Sequence, residues 1–160
     1  MTSASKYLAT YLNDHLAGST SGIELVRRAA RENEGSDLGE VLAALAREIE
    51  EDRNALKEIM AGLGVREDQI KVAGGWLIEK LGRLKPNGQL TGYSPLSRLV
   101  ELEGLALGIA GKLAMWRALI QVAGPPPLDA QRLQKLAERA ERQRDTVEHH
   151  RLAVARSVLA

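Results

Sequence analysis

His15, Asp52, Glu103 and His150 each interrupt an apolar stripe at helical spacing, and Glu48, Gln143 and Glu148 lie beside them. Imidazoles and carboxylates held away from water do one of three things. They ligate iron, manganese or zinc, they move a proton, or they satisfy one another in a hydrogen-bonded network. Dinuclear metal chemistry has a demanding pattern: a Glu from each of two helices and a Glu-x-x-His pair from each of the other two. No Glu-x-x-His occurs in this chain. Glu148 precedes His149 and His150 by one and two positions, which turns the side chains about 100–200° apart on a helix. The expectation is therefore a buried structural network with no tightly bound metal. His15, Asp52, Glu103 and His150 are the ligand candidates of the alternative, an iron- or manganese-binding bundle with oxidative activity. No catalytic or cofactor-binding residue is assigned, and whether the chain is an enzyme stays open.

Composition narrows the field further. The chain has 160 residues, 22 Lys plus Arg against 21 Asp plus Glu, and no Cys. A net charge of +1 excludes a strongly basic nucleic-acid binder. Without cysteine there is no disulfide framework, thiolate metal site or cysteine nucleophile. The aromatic residues are Tyr7, Tyr11, Trp76, Tyr93 and Trp116, too few for a base-stacking surface. Met1 to Leu12 lacks the apolar run of a secretory signal. The longest uncharged apolar stretch, Gly104 to Gly111, is far below the ~20 residues that span a bilayer. The chain is expected to be cytoplasmic, in a bacterial-type cytosol, with no nucleic-acid or membrane partner.

These side chains must be carried by helices, because apolar periodicity near 3.6 dominates. Four long helices are read at about Ser5–Asn33, Asp37–Met60, Pro95–Ala123 and Asp129–Val158. Gly35 closes the first, Asp37 with Glu40 forms a capping box for the second, and Ser94-Pro95 opens the third. A shorter amphipathic segment, Glu67–Lys85, is broken at Gly74-Gly75. The loops joining helices one and two, and three and four, are so short that each pair is an antiparallel hairpin. One long connection between two hairpins is the ferritin-like order of an all-α four-helix bundle. An up-down-up-down bundle with an end-capping helix is the alternative. The whole chain, 1–160, reads as a single domain.

The stripes assign faces. On helix two Leu38, Leu42, Leu45, Ile49, Asp52, Leu56, Ile59 and Leu63 form a seam, with Asp52 its one polar member. An ionised carboxylate there needs a partner, and His15 at a matching level on helix one is the expected one. On helix three the arc around Leu99, Leu102, Ala106, Ile109 and Leu113 takes in Glu103. Glu101 shares the opposite face with Gly104, Gly108 and Lys112. On helix four His150 and Gln143 lie on the stripe, and the alternating charges, Arg139 among them, read as a solvent face. Counting turns from each hairpin pairs His15 with Asp52 and Glu103 with His150. In the ferritin-like order these pairs sit about 10–15 Å apart along the axis.

Two features point to contacts. Gly18 and Gly22 inside helix one are read as places of close backbone approach or a kink. Helix three is apolar or glycine over more than half its circumference, and Gly104, Gly108 and Gly111 permit close helix packing, so a two-fold homodimer is expected. Lys80, Arg83 and Lys85 beside Asn87-Gly88 read as a solvated basic loop, with anion binding as the weaker use. Trp76 and Trp116 read as core or interface anchors.

The blocks Tyr11-Leu12-Asn13-Asp14-His15-Leu16-Ala17-Gly18 and Gly92 to Trp116 (GYSPLSRLVELEGLALGIAGKLAMW) resemble an uncharacterised family of bacterial ferritin-like helical proteins. The resemblance spans almost the whole chain. It implies a ferritin-like bundle and, from that group at large, iron or manganese binding. It assigns no role to any residue.

Overall fold

The computed structural model describes residues 3–68 and 93–160. Four helices form there: α1 (Ser3–Glu32), α2 (Asp37–Gly62), α3 (Pro95–Ile120) and α4 (Ala130–Leu159). No strand forms among the described residues. None of the described helices is long and apolar enough to cross a membrane. Most of the Glu67–Lys85 segment, Trp76 and the basic loop around Asn87 lie outside the described residues.

Side-chain caps set the helix starts. Ser94 Oγ accepts from Ser97 N at 3.0 Å, and Asp129 Oδ1 accepts from Arg132 N at 2.7 Å. The cap of α2 is Ser36 rather than Asp37: its Oγ accepts from Gly39 N at 3.1 Å. Asp37 then falls in the first turn, where a carboxylate faces the positive end of the helix dipole. Gly35 makes the turn before it at φ +79°, a left-handed conformation that favours glycine.

The helix pairs α1/α2 and α3/α4 are hairpins, closed into a bundle by α1 against α3 and α2 against α4. Two apolar clusters fix the directions. One joins Leu12 and Leu16 to Leu56–Met60, Leu113–Leu119 and Leu133–Ala140. The other joins Ile23–Ala29 to Leu42–Ile49, Leu102–Ile109 and Val147. The C-terminal halves of α2 and α3 thus share one end of the bundle, so these helices run parallel. The chain leaves α2 at one end of the bundle and enters α3 at the other. The four described helices therefore run up-down-down-up, as two hairpins, and not up-down-up-down.

The clusters meet at a waist. Asp52 falls between Ile49 and Leu56, Lys112 between Ile109 and Leu113, and Gln143 between Ala140 and Val147. At that level the core changes from aliphatic to charged.

Candidate functional site

The waist is built around Asp52, whose residue exposure is 1 %. Lys112 of α3 bonds Oδ2. Arg139 of α4 bonds Oδ1, through Nη2 at 2.5 Å and Nε at 2.8 Å, and Gln143 Nε2 reaches Oδ2 at 3.2 Å. Gln143 is a relay: its Oε1 accepts from Lys112 at 2.5 Å and its Nε2 donates to Glu48 at 2.9 Å. Arg139 also reaches Glu51 at 2.7 Å. Burial depresses the affinity of Lys112 for its proton, and the Asp52 carboxylate opposes that. Three helices therefore share one ion-pair layer in which the central carboxylate is fully occupied.

Asp52 is buried and paired, as the seam required, but its partner is not His15. Lys112 and Arg139 take that place, although the sequence pattern puts both on outer faces. Helix α3 has so little polar surface that its periodicity does not select a side, and Arg139 carries its charge to the layer over a half-buried stem. Glu101 and Glu103 are exchanged for the same reason. Glu101 is buried, at 1 % exposure, and Glu103 is exposed, 3.5 Å from Arg151. Glu103 lies nine residues before Lys112, about 13 Å along the axis, so it belongs to a different level from Asp52. His150 is half-buried and packs edge-on against His149 at 5.3 Å. His15 is half-buried against Tyr11 at 4.7 Å, and burial lowers its pKa. Among the described residues no three His, Asp or Glu side chains are grouped so as to hold a metal ion. The four metal candidates thus stay apart, except that His15 and Asp52 line one cavity.

That cavity, about 270 Å³, opens between α1 and α3 over the waist. Gly18, Ser19, Ser21 and Gly22 line it from α1, and Gly104, Gly108 and Gly111 from α3. Ile49, Asp52, Arg53 and Leu56 of α2 contribute from beneath, and Met115 and Trp116 extend its apolar wall. At Gly18, Gly22, Gly108 and Gly111 a Cβ would meet no atom within 4 Å. Within the chain, no neighbouring backbone approaches Gly18, Gly22, Gly108 or Gly111 closely, and the space between the two helices there is open. Two buried donors on the wall have no hydrogen-bond acceptor among the described residues: Trp116 Nε1 and Arg53 Nε.

A second network stands near the far end. Tyr93 donates to Glu101 Oε2 at 2.7 Å and accepts from Asn33 Nδ2 at 3.1 Å, and Arg28 lies 3.1 Å from Glu101 Oε1. Burial raises the pKa of Glu101, opposed by the Tyr93 bond and the Arg28 charge. It ties the start of α3 to the end of α1, and Asn13 ties α1 to the segment that follows α2, accepting from Asp68 N at 2.7 Å and donating to Arg66 O at 3.1 Å. These contacts brace the bundle ends and leave the waist cavity as the candidate site. Compared with known proteins, the chain matches no family model, no curated protein and no solved structure.

Proposed function

We propose that this protein is a non-enzymatic helical bundle that holds a small, largely apolar molecule in the cavity between α1 and α3. One observation carries the reading: four helix-interior glycines border that cavity with nothing in the space their side chains would fill. A helix-interior glycine is less stable than alanine by about 1 kcal/mol, and packing at these positions gives no return for it. Open volume does, if a ligand fills it. Gly18 and Gly108 are exposed and Gly22 and Gly111 half-buried, so this space is an open cleft between the two helices. The fully bonded Asp52 layer beneath is the rigid floor such a site needs.

The parallel α2 and α3 support the ferritin-like resemblance. The glycine face of α3 that suggested a homodimer also lines the cavity, so an apolar ligand and a second copy of the chain compete to explain it. The test uses naphthalene, whose own fluorescence reports transfer to an apolar site. Saturable binding at one equivalent, lost in Gly22→Leu and in Gly108→Leu, is the expected result. Absence of binding to the native chain, or binding unchanged in both variants, would reject the reading. A light-scattering mass of twice the chain, falling to one chain in the leucine variants, would assign the face to self-association instead.

A further inference from the structure

We infer that the ligand of this cavity is a monocarboxylate of about ten non-hydrogen atoms in all, its body apolar. This rests on the reading that the cavity is a ligand site. It adds the chemistry of the headgroup.

The argument comes from what the wall leaves unbonded. Two acids line the cavity, the exposed Asp14 and the buried Asp52, and Asp52 is saturated by Lys112, Arg139 and Gln143. Lys112 gives two bonds, to Asp52 and Gln143, out of the three an ammonium can donate. Arg53 Nε is buried and has no acceptor among the described residues. Trp116 is fully buried, at 0 % exposure, and its Nε1 has none either. All the unspent hydrogen-bonding capacity named here is donor, and two of the three groups are cationic. A buried donor left unmade is costly, and a carboxylate is the acceptor that bonds such donors most strongly. An amine would bring further donors to a wall that has them in excess, and an alcohol would supply no charge for Arg53.

Size follows from the volume. An apolar cavity of about 150 Å³ accepts benzene, so about 270 Å³ accommodates about ten non-hydrogen atoms. The small residues of α1 and α3 form the side that takes the apolar body, and α2 and the inner turn of α3 supply the donors.

The test compares octanoate, 1-octanol and octylamine as competitors of naphthalene, with octanoate also titrated directly by calorimetry. Octanoate should bind about tenfold more tightly than either neutral or cationic analogue, a difference of the order expected for a charge-assisted contact. Arg53→Met should abolish that preference and leave naphthalene binding intact. Equal affinity for octanoate and octanol, tighter octylamine, or a preference that survives in Arg53→Met would overturn the inference. Naphthalene binding without octanoate preference rejects the carboxylate alone. Failure of both ligands rejects the cavity reading with it.

Discussion

Replacing glycine by alanine at four positions should make this protein more stable, not less. Gly18 and Gly22 lie inside α1, Gly108 and Gly111 inside α3, and an added Cβ meets nothing within 4 Å at any of them. Helix propensity then acts alone, so each substitution contributes about 0.5–1 kcal/mol. Summed without coupling, the four together give about 2–4 kcal/mol. For a chain of this size that is roughly 4–16 °C in the melting midpoint. Urea denaturation followed by circular dichroism measures each step. Gly39→Ala and Gly62→Ala serve as contrasts: a Cβ at Gly39 would lie 2.1 Å from Asn33 O, and one at Gly62 2.7 Å from Pro127 Cβ. Those two should destabilise. The fourfold variant should also bind naphthalene more weakly, because its methyl groups enter the cavity. Loss of stability at any two of the four open positions would refute the claim that these glycines hold space.

The ion-pair layer and the two perturbed acids give further outcomes. Asp52→Ala should cost about 3–5 kcal/mol by stranding Lys112 and Arg139, read as a lower urea midpoint, and Asp52→Leu with Lys112→Met should recover most of it. His15 has a folded pKa below its ordinary 6.5, so the unfolded chain binds the proton more readily. Stability present above that value should therefore decline as pH falls through the folded pKa, and His15→Gln should flatten the decline in a pH series of urea midpoints. Glu101 has the opposite sign: its folded pKa is raised above 4.5, so the folded chain holds the proton more tightly. Stability should fall as pH rises between those two values, and Glu101→Gln should remove that fall in the same series.

The four helices, their hairpin pairing and the burial of Asp52 were legible because periodicity, caps and loop length all point the same way. The partner of Asp52 was not. Lys112 follows the uncharged run Gly104–Gly111 on a helix with apolar residues on all sides, where spacing alone does not say which side is inward. A charge argument could have found it, since a seam carboxylate needs a cation and Lys112 is the lysine of that helix. The same ambiguity exchanged Glu101 for Glu103. The glycines were visible as anomalies in both helices, but close packing and open space carry one sequence signature. Only the distances across the α1–α3 cleft separate them.

The central claim, a ligand cavity between α1 and α3, is tested most directly by diffraction from crystals grown with 8-bromooctanoate. The account predicts an anomalous bromine peak in the cleft lined by Gly18, Gly22 and Gly108, with the carboxylate within hydrogen-bond reach of Arg53. A cleft empty at saturating ligand, or closed by side chains of a second copy, would contradict it.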